Sequence, residues 1–402
     1  MTFDTRSARQ SALGAASACA WPLAGAIAAA IPALWMWGFT VDDALIAVRY
    51  AHHIATGSGW RFNAHGPATD GVTPLPWPLL LAPFARADAI MVLTRAKTLG
   101  LLVWSLTGAV LGGAIGRAPH APVWARGTAL GVMALSVPVA AHAVSGMETA
   151  LATALATWAS LVGRRPRVTS VLAGLAASLR PEMAPWACVL AMGSSIASRS
   201  NVARTIANGA IALTPFVACA AVRAIVWGRP APLAILAKPS DVAHGLAYAG
   251  AACVVTLVPL LVLAPIALRR EPSALAIVIA AGAHACAIIV VGGDWMPYAR
   301  LMVPVVPSLV YVAARVSVRA HPAATVVRGA VATALGVALI ARGGTAGRRV
   351  GPDRRALIAA ARPLLQGAGR VASLDVGWVG AATEAEIIDL AGLTDPEIAV
   401  LP

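Results

Sequence analysis

Two adjacent carboxylates follow the first apolar run of the chain. The segment Thr40-Val41-Asp42-Asp43-Ala44 opens an amphipathic stretch that continues through Arg49, Tyr50 and His53. Neighbouring carboxylates repel each other, and partial desolvation raises the cost of ionising both. Such a pair suits a general base that takes a proton from a hydroxyl. It equally suits a divalent cation, and either aspartate could simply cap the next helix. Three further polar groups interrupt apolar sequence. Ser145-Gly146-Met147-Glu148 places a carboxylate between two apolar runs, and Arg180-Pro181-Glu182 places opposite charges at a proline break. Gly292-Gly293-Asp294-Trp295-Met296-Pro297-Tyr298-Ala299-Arg300 brackets an aromatic turn with an acid and a base. Ionisable residues at membrane depth are expensive and mark function by default. The plainer readings are Glu148 as a helix cap, Arg180 with Glu182 as a mutual pair, and Trp295 with Tyr298 as interfacial anchors. The chemical readings are a lipid phosphate held by Arg180, and sugar hydroxyls or phosphate held by Asp294 and Arg300.

The elements that must position these groups follow from composition. The chain has 402 residues, 59% hydrophobic and only 12% charged, with a mean hydropathy of +0.76. Soluble domains carry roughly 25% charged residues, so an ordinary cytosolic enzyme is excluded, and so is disorder. Long continuous apolar runs exclude a β-barrel, whose strands would alternate. The fold class expected is an all-α polytopic membrane protein. Eleven apolar stretches are candidate crossings: 18–39, 94–116, 127–142, 147–163, 168–179, 183–197, 205–227, 248–268, 273–292, 301–314 and 322–342. The proline-rich stretch 74–84 is too short to span and reads as a helix lying at the membrane surface. All five cysteines fall inside apolar runs, which reads as buried small side chains with no disulfide framework. The histidines show no metal-ligand spacing.

Charge sets the orientation. The net charge of +14 would suit a nucleic-acid binder, but the basic residues are not spread evenly. With the N-terminus inside, the inner loops collect 13 arginines and only two acids, Asp4 and Glu271. The other 15 of 17 acidic residues then lie outside, as the positive-inside rule requires. The basic excess therefore faces anionic lipid, and no nucleic-acid partner is expected. The chain divides into a membrane module, 1–342, with a first outer loop at 40–93, and a short C-terminal segment, 343–402. That segment reads as a small α/β piece, helical over 354–366 and extended over Arg370–Leu374. Its arginines 348, 349, 354 and 355 run against an outer location.

Taken in order, the motifs resemble a known pattern. Asp42-Asp43-Ala44-Leu45-Ile46-Ala47-Val48-Arg49-Tyr50-Ala51, Gly57-Ser58-Gly59-Trp60-Arg61-Phe62-Asn63 and Asp70-Gly71-Val72-Thr73-Pro74-Leu75-Pro76-Trp77 are similar to the first periplasmic loop of GT-C glycosyltransferases. Among these the chain resembles the terminal arabinofuranosyltransferases of mycobacterial cell-wall synthesis and the ZomB-like proteins of Gram-negative bacteria. Ser145 to Thr149, Arg180 to Glu182, Gly292 to Pro304, Asp375-Val376-Gly377 and Ile388 to Asp395 follow in the same order. Two departures stand out: Asp70-Gly71 replaces the usual Glu-Gly, and the C-terminal region is much shorter.

The resemblance implies a bacterial inner-membrane enzyme with an outward-facing site. It would move a sugar, arabinofuranose or another pentose, from a polyprenyl-phosphate donor to an envelope glycan or lipid-glycan acceptor, with inversion. Asp42 is then the expected base, with Asp43 orienting it or the acceptor. Arg180 and Arg300, and more weakly Arg49, would hold the donor phosphate. Asp70, Glu148, Glu182, Asp294, Trp295 and Tyr298 would contact substrate. No cofactor is implied, although a divalent cation is compatible with the aspartate pair. The competing classes are a lipid-linked-sugar transporter, which lacks the expected internal repeat, and a non-catalytic envelope or motility-associated protein.

Overall fold

The computed structural model describes residues 5–118, 121–238 and 240–401. Asp4, counted above among the inner acids, lies outside them. In chain order the helices are α1 (Thr5–Trp35), α2 (Asp42–Ala55), α3 (Pro76–Leu81), α4 (Ala89–Gly116), α5 (Val123–Ala134), α6 (Val137–Ala143), α7 (Thr149–Leu161), α8 (Pro166–Leu179) and α9 (Ala184–Ala197). They continue as α10 (Val202–Trp227), α11 (Leu233–Ala237), α12 (Val242–Val255), α13 (Val258–Leu261), α14 (Pro265–Leu268), α15 (Pro272–Val290), α16 (Val306–Val316), α17 (Pro322–Leu339) and α18 (Thr345–Leu365). Strand β1 (Arg370–Ser373), helix α19 (Val376–Ala382) and strand β2 (Glu386–Asp389) follow, the two strands pairing in parallel.

The chain is mostly helical, and each of the eleven apolar stretches carries a helix. Four helices are long and apolar enough to cross a membrane: α4, α10, α15 and the continuous helix Pro322–Leu365. The pair α5–α6, bent by 59°, makes a fifth if it is one span. Eleven crossings are thus not required by helix length. Among the shorter helices, α8 is ended by Pro181. The long helices turn apolar side chains outward: Leu102 is 62% exposed, Val202 75% and Ile225 84%. A water-soluble monomer does not expose apolar surface on this scale, so these are the helices of a membrane protein.

The same outward facing corrects the reading of the cysteines. All five are free and none is buried, with Cys19 and Cys286 exposed. An apolar run predicts an apolar phase, which in a membrane protein can be lipid rather than core.

The boundary expected at 342 is not a break. Pro322–Leu365 is one helix of 44 residues, loosened into a π turn at Ile340–Gly344. At 1.5 Å per residue it is about 66 Å long, twice the roughly 30 Å of a bilayer core. Its second half leaves the bundle and holds the β1–α19–β2 unit, whose helix α19 packs on α2. The C-terminal segment and the 40–93 loop therefore share one side of the molecule. Over 74–84 the chain forms α3 and a 3-10 turn, with Trp77 and Leu81 buried and Leu79, Leu80 and Phe84 facing outward.

The closest helix pair is α1 with α4. Gly108 and Gly112 on α4 face Gly25 on α1, so backbone lies on backbone: a methyl group at Gly25 would meet the Gly108 carbonyl and stand 2.8 Å from Gly112 Cα. Where lipid is as apolar as the helix surface, such close packing takes the place of a hydrophobic driving force. Gly112→Leu is expected to cost about 1–3 kcal/mol by overpacking. Thermal unfolding in detergent measures this, and an unchanged midpoint would refute the role of the contact.

Candidate active site

Three interruptions of helix and one helix start meet around a single cavity. At α8, Pro181 lacks an N–H and crowds the residue before it, so Arg180 leaves the helical region at φ −136°, ψ 91°. Its side chain is delivered into the bundle at the break. After α15, Gly292 and Gly293 take positive φ (85° and 76°) and end the span. The turn beyond carries non-glycine residues in the left-handed region, Tyr298 and Ala299 at φ 62° and 50°. Strain of that kind persists only where its surroundings enforce it. Irregular backbone inside a bundle is tolerated where it is buried or lines a cavity, and here it does both.

The cavity holds about 420 Å³. One part of its wall is charged: Asp43, Glu148, Arg180, Glu182, Asp294 and Arg300. Another part is apolar, including Val72, Pro74, Trp77, Leu179, Ile235 and Val290. The charges are arranged as two arginines, each between two carboxylates. Arg180 contacts Glu148 at 2.9 Å and Glu182 at 2.7 Å. Arg300 donates to Asp294 at 2.8 Å and stands 3.6 Å from Asp43. Burial pushes the Asp294 carboxyl up, but Arg300, Arg180 and Lys238 outweigh it and hold Asp294 below its ordinary value. Asp294 is therefore an ionised partner rather than a proton acceptor. Of the expected residues, Asp43, Glu148, Arg180, Glu182, Asp294 and Arg300 are thus brought together.

Asp42 is not among them. Its two carboxylate oxygens accept hydrogen bonds from the backbone N–H groups of Gly377 (3.0 Å) and Trp378 (2.8 Å) at the start of α19. Gly377 is needed for that approach, since a methyl group there would strike the Asp42 carbonyl. The expected base is therefore spent on docking the C-terminal segment, while Asp43 faces the cavity. The two neighbouring carboxylates thus have different partners. Among the described residues no group of three His, Cys, Asp or Glu side chains is placed to hold a metal ion.

Four more expected residues lie outside this cluster. Arg49, expected on phosphate, donates instead to the carbonyls of Phe62 (2.7 Å), Gly380 (2.7 Å), Thr383 (3.4 Å) and Ala385 (3.4 Å), and so clamps the C-terminal segment to the outer loop. Asp70, expected on substrate, is fully buried and paired with Arg223 of α10 at 2.9 Å. Arg223 also donates to Val72 and Thr73, so the pair pins the loop that forms one cavity wall. Burial pushes the Asp70 carboxyl up to about 6 even though Arg223 pulls it down. Tyr298 donates to the Gly343 carbonyl at 2.7 Å and packs edge-on against Phe39, bracing the 292–300 turn against the long C-terminal helix. Trp295 stays at the surface, 60% exposed, 4.9 Å from the Lys238 ammonium.

Sequence reasoning passed over both lysines. Lys97, buried on α4, donates to the carbonyls of Trp37 (2.5 Å) and Phe39 (3.0 Å) and so closes the end of α1 just before the aspartates. Lys238 lines the cavity. A signal was available: in a chain with 29 arginines and 2 lysines, a lysine marks a place where a compact ammonium serves and a planar guanidinium does not. Asn63 was also missed as a tether; its side-chain amide exchanges hydrogen bonds of 2.9 and 3.0 Å with the backbone of Ile387 on β2.

No family model matches the chain, and neither a curated protein nor a solved structure matches it.

The Asp42 latch has a pH sign. Burial pushes its carboxyl from 3.8 up to about 7, with the two backbone N–H groups opposing and Asp43 and Asp375 adding to the rise. The docked state holds the proton more tightly than the undocked state. Docking is therefore strongest below about pH 4 and weakens as pH rises towards 7, then levels off. Limited proteolysis at the Gln366–Gly369 turn between pH 4 and 8 reads this slope, and Asp42→Asn should flatten it. A slope that survives the substitution would assign the titration to another group.

Proposed function

We propose that the protein is an integral membrane glycosyltransferase of the GT-C kind, moving a sugar from a polyprenyl-phosphate donor to an envelope glycan hydroxyl. The observation that carries this reading is the two-sided cavity: one wall offers carboxylates beside arginines, the other offers apolar surface. That combination suits a ligand with an alkyl chain, an anionic link and a polar head. A transporter reading lacks such support, because the charged wall is locked by ion pairs.

In this reading Asp43 is the base. The acceptor hydroxyl gives its proton to the Asp43 carboxylate while its oxygen forms a bond to the anomeric carbon. The bond from that carbon to the phosphate oxygen breaks, and its electron pair leaves with the polyprenyl phosphate. One displacement with no covalent intermediate inverts the anomeric centre. Arg300, 3.6 Å from Asp43, aims that carboxylate. The membrane is the bacterial inner membrane, with the N-terminus inside, about eleven crossings, and the 40–93 loop and C-terminal segment on the outer face. The short apolar face of Leu79, Leu80 and Phe84 then rests at the lipid surface.

Asp43→Asn is expected to lower sugar transfer by at least about 100-fold, the lower range for general-base catalysis, while Asp42→Asn retains measurable transfer. The assay is glycan analysis of the envelope from a deletion strain carrying each variant. Full activity of Asp43→Asn would end the assignment. For orientation, Ser240 is exposed whereas Ser145 is fully buried. A cysteine at Ser240 should react with a membrane-impermeant thiol reagent applied from the outer side; reaction only from the cytoplasmic side would invert the topology.

A further inference from the structure

The charged wall poses a problem for any anionic ligand. Its two arginines are already committed, each to two carboxylates, so four negative charges face two positive ones. A donor phosphate brings a further negative charge and gains another as the sugar leaves. Some donor in the cavity has to be unspent.

Three donors are. Lys238 lines the cavity, is exposed, and makes neither an ion pair nor a side-chain hydrogen bond among the described residues. Its one side-chain interaction of note is with the Trp295 ring at 4.9 Å, which holds the ammonium at the surface without using its N–H groups. Trp77 also lines the cavity, and its indole N–H is buried with no hydrogen-bond partner among the described residues. Arg180 is the third. Its Nε and Nη1 donate to Glu182 and Glu148, while Nη2 stands 2.7 Å from Glu182 at an angle that makes no hydrogen bond. Twelve buried side-chain polar atoms lack a partner among the described residues, and two of them belong to residues that line this one cavity.

We propose that Lys238 binds the phosphate of the lipid-linked donor, with the Trp77 indole N–H and Arg180 Nη2 as secondary donors to the same ligand's oxygens. The proposal rests on the lipid-phosphate reading above and replaces Arg49 and Arg300 in that role. Lysine suits the position: a compact ammonium on a flexible stem can follow the phosphate as its charge grows, whereas a guanidinium forked between two carboxylates cannot move. Lys238 is the residue after α11, where its backbone N–H donates to the Ala234 carbonyl and its side chain extends to the Trp295 ring.

The test is binding by the full-length protein in phosphatidylcholine nanodiscs. The probes are polyprenyl monophosphate and polyprenol of the same chain length, with inorganic phosphate as competitor. The wild type is expected to prefer the phosphorylated lipid. Lys238→Met should reduce that preference roughly 10- to 100-fold, the size of a charged hydrogen bond, and Lys238→Arg should keep most of it. A Lys238→Met protein that keeps the wild-type preference overturns the Lys238 proposal and leaves the enzyme reading intact. A wild type with no preference for the phosphorylated lipid overturns the lipid-phosphate reading itself. The shared chemistry is a phosphate oxygen, and the competitor separates its sources. Failure of inorganic phosphate to displace the lipid at equal concentration supports a lipid headgroup. Equal affinity for inorganic phosphate overturns it in favour of the free anion.

Discussion

Arg300 between Asp43 and Asp294 is the contact on which the arrangement of the site depends. It joins the first turn of α2 to the turn after α15, segments separated by about 250 positions of sequence. Arg180 does the same for the 145–148 turn and the α8–α9 break. Taking any one of these charges out of water is costly, and leaving a partner unpaired costs roughly 3–5 kcal/mol. Each arginine therefore holds its two segments together, and Arg300 Nη1 also reaches the Met147 sulfur at 3.6 Å, which links the two pairs. Around this network the wall turns apolar, so the cavity has one charged side and one apolar side.

The fold serves the network by being interrupted. A continuous transmembrane helix satisfies its own backbone and offers lipid only side chains. Breaks at Pro181 and at Gly292-Gly293, and the bend between α5 and α6, expose polar groups inside the bundle instead. Close glycine packing of α1 on α4, and Lys97 on the last carbonyls of the α1 end, keep the start of α2 in place.

The aspartate pair divides its labour for a geometric reason. Successive residues of a helix point about 100° apart, and here Asp42 turns to the start of α19 while Asp43 turns to the cavity. One grips the C-terminal segment and the other faces the cavity. Docking is reinforced by Arg49 and Asn63, and it brings Leu393 to the cavity wall. The short C-terminal segment thus contributes Leu393 to the lining of the cavity.

Much of this was legible in the residues themselves. Low charge and long apolar runs determine a helical membrane protein, because hydrophobic period and length are local properties. Proline and glycine mark where Arg180 and Asp294 interrupt it, because backbone restriction is local too. Charged residues set between apolar runs therefore pointed to Asp43, Glu148, Arg180, Glu182, Asp294 and Arg300. Tertiary structure alone decided which charge meets which. Arg49 and Asp70 look as reactive in sequence as Arg300 and Asp43, but Arg49 finds carbonyls more than 330 positions away and Asp70 finds Arg223 153 positions away. Whether a charged side chain is structural or free for chemistry depends on its partners, and partners so distant are chosen by packing.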